Sequence, residues 1–275
     1  MKSNATSTVT AAEVLGMRSR QKRLLGVTIL LLLTLFGQSA LFAAPKPKNP
    51  GPQPDLIVRS DVLEKQWVVR DENVRADWCS AIEGGIQQGV FKVLRFTVTT
   101  PNIGAADLVV GDPNDRPDLF ENAECHHHFH FRDYALYELV DPRTGKVWKA
   151  AKRGFCMLDS DRYPSYAGDA PPRQFKECGA PGTAGNQGIS RGWSDTYRLT
   201  LGGQYFVLDG GDGQPPVPPG TYKIRVTVNP NRVFTESNYG NNVGEATVTI
   251  PDKAGHDGVG PMAGTPHPTS EAAEH

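Results

Sequence analysis

The sequence predicts a mainly β fold, a sandwich-like core with long functional loops and few short helices, on three observations. Apolar residues recur with period two in several short runs. Glycine and proline are abundant, at 29 and 22 of 275 residues, which favours turns over long helices. No long apolar stripe of helical period appears outside the N-terminal segment.

The clearest run is Thr221 to Pro230, where Tyr222, Ile224, Val226 and Val228 alternate with Lys223, Arg225 and Thr227. In Glu245 to Ile250, Ala246, Val248 and Ile250 alternate with Thr247 and Thr249. Leu94, Phe96 and Val98 alternate with Arg95 and Thr97. Each reads as a half-buried strand, with one face on a core and the other in water. Pro218, Pro219 and Gly220 form the turn into the first run, and Asn238, Gly240, Asn241 and Asn242 occupy the loop between the first two.

Composition shifts divide the chain. Arg18, Arg20, Lys22 and Arg23 precede the uncharged run Leu24 to Phe36, and Ser39, Ala40, Ala43 and Ala44 follow it. A basic start, an apolar middle and a small-residue exit read as an export signal over residues 1–43, which implies secretion. The competing reading is an uncleaved membrane anchor, since Leu24 to Ala44 approaches the ~20 residues that span a bilayer. Residues 44–54 are rich in Pro and Lys and read as a linker. An ordered domain is expected over 55–251 and a disordered tail over 252–275, where apolar residues are sparse.

Charge nearly cancels, with 29 Lys and Arg against 30 Asp and Glu. That balance offers no global field for nucleic acid, nor for an anionic membrane once a signal is removed. Cys79, Cys125, Cys156 and Cys178 all follow the signal. An even count in an oxidising compartment suggests two disulfides, with three connectivities open.

The informative segment is Cys125-His126-His127-His128-Phe129-His130-Phe131, which holds four of the seven histidines. On a strand, His126, His128 and His130 share one face and Phe129 and Phe131 the other. A helix, at about 100° per residue, would turn His128 away from the other two. The spacing therefore favours a strand that presents three imidazoles and buries two phenylalanines, with His127 in a structural role. Three imidazoles suit copper or zinc, and the ligand set does not choose between them.

This segment resembles the copper motif of the lysyl oxidase catalytic domain, and further blocks follow in that family's order. Asp133-Tyr134-Ala135-Leu136-Tyr137-Glu138-Leu139 continues the His segment in similar style. Lys152-Arg153-Gly154-Phe155-Cys156 matches the block whose lysine supplies the amine of the family's quinone. Gly192-Trp193-Ser194-Asp195-Thr196-Tyr197 matches the block whose tyrosine is the quinone precursor. Val228-Asn229-Pro230 with Asn241-Asn242-Val243 completes the series, so the likeness covers roughly residues 85 to 250. Two departures stand out. An insertion over Asp159 to Pro172 widens the Lys152–Tyr197 separation, and Trp193 and Gly203 stand where the family has a disulfide pair.

The resemblance implies copper at His126, His128 and His130 and a lysine tyrosylquinone formed from Lys152 and Tyr197. It implies oxidative deamination of primary amines, peptidyl lysine or small alkylamines, to aldehydes, with O2 consumed and H2O2 and ammonia released. Such chemistry needs an electron sink that no translated side chain supplies. It also needs a base near the quinone, for which Asp195, two residues before Tyr197, is the candidate. The resemblance further implies a Cys125–Cys178 bridge, and with it Cys79–Cys156. Other readings stay open: a non-catalytic copper or zinc protein, a secreted adhesion-like β module, and a three-histidine zinc hydrolase. The physiological amine and the oligomeric state are not legible in the sequence.

Overall fold

The computed structural model describes residues 51–166 and 168–271, so the signal segment 1–43 and most of the 44–54 linker lie outside the described residues. The fold is mainly β. Among the described residues, two short α-helices, α1 (Ser60–Lys65) and α2 (Cys79–Ile82), accompany fourteen strands. These are β1 (Trp67–Val74), β2 (Gly89–Phe96), β3 (Val98–Pro101), β4 (Leu108–Gly111), β5 (Phe120–Ala123), β6 (His128–Phe131) and β7 (Ala135–Val140). The remainder are β8 (Val147–Lys149), β9 (Asp161–Arg162), β10 (Gln187–Ile189), β11 (Trp193–Tyr197), β12 (Tyr205–Val207), β13 (Gly220–Val228) and β14 (Val243–Ile250).

The strands form five small sheets, ordered β1-β2-β12, β10-β4, β3-β11-β9, β14-β13-β7-β8 and β5-β6. The two strongest alternations become the central hairpin, with β13 and β14 antiparallel from Gly220↔Ile250 to Thr227↔Val243. Tyr222, Ile224, Val226, Val228, Ala246, Val248 and Ile250 are buried as their period requires. Their outward neighbours stay partly wet, where Lys223 and Arg225 both pair with Glu245. Phe131, Tyr134, Phe155 and Tyr197 join those residues in one core cluster.

The run around Leu94 departs from the alternation. Arg95 and Thr97 are buried as fully as Leu94, Phe96 and Val98. The reason is an ion network: Glu72 bonds both Arg70 and Arg95, and Arg95 also donates to the carbonyls of Leu199 and Leu201. The Arg95 charge is tolerated at an inward position because Glu72 and two carbonyls meet its guanidinium inside the fold.

Both expected disulfide pairings are corrected. The bridges are Cys79–Cys125 and Cys156–Cys178, with Cα separations of 5.4 and 5.5 Å. Strand β6 explains the second. Phe131 donates to the Phe155 carbonyl and Phe129 donates to the Gly179 carbonyl, so the segments carrying Cys156 and Cys178 flank the same strand. Cys125 precedes that strand in a turn and meets the start of α2 instead.

Residues 252–271 of the expected tail fall within the described residues. Residues 255–262 run along the free edge of β1, with Val69 and Val259 exchanging two backbone hydrogen bonds and Met262 donating to the Trp67 carbonyl. Gly260 lies so close to Trp67 that a Cβ would stand 2.7 Å from the indole. Glu271, the last described residue, is buried.

Candidate metal and quinone site

The three imidazoles come together, though not from one strand. His128 and His130 lie on β6, paired with Ala123 and Glu121 of β5. His126 precedes the strand, and His127 between them has φ +59°, a turn conformation that ends the alternation. The ring centres are nonetheless 4.8 Å apart for His126 and His130, 5.0 Å for His128 and His130, and 5.7 Å for His126 and His128. With metal–nitrogen bonds of about 2.0–2.1 Å, three imidazoles around one ion place their centres roughly 5 Å apart. No set of three or more His, Cys, Asp or Glu among the described residues is already arranged as a metal shell. Turning an imidazole over exchanges its nitrogens and carbons without moving its centre, so the spacing holds for either ring orientation. On the opposite face, Phe131 is fully buried and Phe129 packs partly against the core, as the period required.

Two neighbours hold the histidines. Glu83, just after α2, bonds the backbone N–H of Cys125 through one oxygen and His126 Nδ1 through the other at 3.1 Å. Gly154 lies against His130, where a Cβ would fall 2.2 Å from Nδ1. The absence of a side chain there lets the Lys152 segment lie directly against the His strand. Buried Gln187 ties the same elements together. It accepts from Met157 N–H and donates to the carbonyls of Phe129 and Cys178.

Lys152 and Tyr197, 45 residues apart in sequence, meet in space. Lys152 is 7% exposed and its Nζ lies 5.2 Å from the centre of the Tyr197 ring. Tyr197 is fully buried at the end of β11. Its hydroxyl donates to the Cys156 carbonyl at 2.8 Å, and its ring meets Phe155 edge-on at 5.2 Å. Glu83, His126, His130 and Lys152 line one cavity of about 520 Å³.

Asp195, on the same face of β11 as Tyr197, is also fully buried. Burial pushes its carboxyl well above the usual range, against N–H donation from Leu158, the Ser160 and Tyr134 hydroxyls and the charge of Lys152. Burial, with the Asp195 charge beside it, pushes the Tyr134 phenol up too, while its bond to the Thr100 hydroxyl acts the other way.

Glu83, Gly154 and Gln187 were not singled out by the sequence. Gly154, inside the block Lys152 to Cys156, carried a usable signal: a glycine between a candidate reactive lysine and a core phenylalanine implies close approach. Glu83 carried none, because its role depends on the Cys79–Cys125 bridge.

The lysyl oxidase family model matches residues 63–256. The chain belongs to that family. Its relatives include lysyl oxidase homolog 2 of Gallus gallus, 28% identical over 69% of this chain and 24% of its own length. Lysyl oxidase homolog 3A of Danio rerio is 29% identical over 68% of this chain and 24% of its own length. Lysyl oxidase homolog 1 of Homo sapiens is 30% identical over 69% and 32%. This chain thus spans about a quarter to a third of the length of these relatives. Among solved structures, a CARDB domain from Pyrococcus furiosus covers 72% of this chain at 12% identity and a TM-score of 0.28, too low to support an inference.

Proposed function

We propose that this lysyl oxidase family member is an exported, copper-dependent amine oxidase that converts primary amines to aldehydes with O2, releasing H2O2 and ammonia. The observation that carries the proposal is the approach of Lys152, which lines one cavity with His126 and His130, to the buried Tyr197 ring. A quinone derived from Tyr197 and joined to Lys152 supplies the carbonyl that an amine oxidase needs as its electron sink.

The chain's own residues divide the remaining work. His126, His128 and His130 would hold the copper, and nitrogen donors of this kind suit Cu(II) by the usual divalent order. Lys152 needs its neutral amine to join the ring, and a site 7% exposed keeps water from competing for it. Phe155 packs beside both Lys152 and Tyr197 as an apolar wall, 5.8 Å from Nζ to its ring centre. Asp195 is the proton acceptor beside Tyr197. Its upward-shifted carboxyl makes it a stronger base than an exposed aspartate. Protein-bound lysine and small alkylamines are both within the substrate class.

Lys152→Ala and Tyr197→Phe are each expected to abolish amine-dependent H2O2 production by copper-matured protein without loss of folding. Digestion of the active protein should yield one cross-linked peptide pair containing both residues. Phenylhydrazine should change its absorption spectrum. Finding both peptides unmodified in active enzyme would refute the mechanism, and stoichiometric zinc without copper uptake would favour a hydrolase.

A further inference from the structure

The third imidazole has no strand to hold it. His128 and His130 are placed by the β5–β6 pairing, whereas His126 lies beyond the last paired residue and is followed by a left-handed turn at His127. Something else must fix its ring among the other two. The fold supplies two fastenings, both from the α2 segment. The Cys79–Cys125 bridge ties down the residue immediately before His126. Glu83, which itself donates its N–H to the Cys79 carbonyl at 2.8 Å, turns back onto the same place.

One Glu83 oxygen accepts from the Cys125 N–H and the other from His126 Nδ1. The carboxylate thus fixes main chain and ring of the ligand residue together. It also selects the tautomer. With Nδ1 donating to Glu83, the lone pair of the neutral imidazole resides on Nε2. A carboxylate on the far nitrogen makes an imidazole a stronger donor to a metal and removes its freedom to rotate. The pair is largely screened from solvent, with the His126 side chain 9% exposed and that of Glu83 29%.

We infer that Glu83 is the positioning residue of the metal centre, orienting His126 as a ligand through Nε2. This inference rests on the reading of His126, His128 and His130 as the metal set. It assigns no contact between Glu83 and substrate or metal.

The test uses the full mature chain stripped of metal, with Cu(II) and separately Zn(II) titrated against a competing chelator. The variants are Glu83→Ala, Glu83→Gln, His126→Ala and the double variant Glu83→Ala/His126→Ala. Glu83→Ala should weaken Cu(II) and Zn(II) by about 10- to 100-fold, the usual consequence of losing such a partner. It should also change the Cu(II) hyperfine splitting in the electron paramagnetic resonance spectrum. His126→Ala should weaken binding at least as much, and the double variant should be no weaker than His126→Ala alone. Glu83→Gln, which keeps the size of the side chain, covers the case in which Glu83→Ala fails to fold. Its affinity should fall in the same direction and its hyperfine splitting should also change.

Wild-type affinity and spectrum in both Glu83 variants would overturn the inference. So would an equal loss from Glu83→Ala with and without His126, which would mark a general structural role. Wild-type affinity in His126→Ala would overturn the three-histidine reading itself, a result separate from a failure at Glu83 alone.

Discussion

A Cβ at position 154 would stand 2.2 Å from His130 Nδ1, well inside any contact the ring can accept. Gly154→Ala should therefore push the ring out of the cluster and lower copper occupancy at least tenfold, with little loss of the β signature in circular dichroism. Normal copper content in that variant would show that the two segments can part without cost. Asp195 offers a second test at this scale. Its folded pKa lies well above its ordinary 3.8, so the folded state keeps a proton that the unfolded chain has already lost. Its stabilising contribution is complete below the unfolded value and fades as pH rises toward the folded one. Asp195→Asn removes that dependence. The variant should gain stability relative to wild type as pH rises from mildly acidic to neutral, measured by denaturant titration of metal-free protein. A difference that stays flat, or runs the other way, would contradict the upward shift. Lys152, Tyr197 and the three histidines could be singled out from motif blocks alone, since their chemistry is in the residue type. Of their supporting neighbours only Gly154 left such a signal, because the support of Glu83 and Gln187 depends on which segments touch.

Among the elements, period two was readable wherever one face meets water, as in β13 and β14. It failed at β2, where Arg95 looked like a solvent residue and is instead enclosed by Glu72 and two carbonyls. Alternation reports polarity, and polarity marks the outside only when no partner waits within. The His segment shows a related limit. Convergence of the rings was anticipated, yet the strand begins two residues later than the alternation implied, and His126 arrives through a turn. That turn depends on the Cys79–Cys125 bridge, which closes a loop of 46 residues. Replacing both cysteines by serine should cost about 2–5 kcal/mol in unfolding free energy, the usual range for a native bridge. It should also weaken copper binding, because Glu83 and His126 lose their covalent tie. Stability loss with unchanged copper affinity would separate the bridge from the site. The bridging partners lay beyond sequence reasoning, since four cysteines fit three connectivities equally well.

At the scale of the whole molecule, the last described residues close the structure around the site. Their composition is poor in apolar side chains, and hydropathy reads such a stretch as unstructured. What holds it is invisible to hydropathy. Backbone groups pair with the β1 edge, and Gly258 and Gly260 permit an approach that a side chain would block. The run ends with Glu271 turned inward. Its two oxygens accept from the backbone N–H groups of Ser80 and Gly203, at 2.9 and 3.2 Å, and Arg95 lies 3.9 Å away. Ser80 belongs to α2, three residues before Glu83, and Gly203 lies against the backbone of Lys152. One buried carboxylate thus joins the helix that precedes Glu83 to the turn beneath Lys152. Removing it strands two buried donors and part of the neutralisation of Arg95. Each orphaned backbone group costs about 1–3 kcal/mol, so Glu271→Ala, which strands two, should lose roughly 2–6 kcal/mol. Glu271→Gln, which keeps one acceptor, should lose less. Both variants should slow formation of the Lys152–Tyr197 cross-link in copper-loaded protein, followed by mass spectrometry at a temperature where folding is complete. If cross-linking proceeds at the wild-type rate in a destabilised Glu271→Ala protein, the tail fastens the fold and has no part in ordering the site.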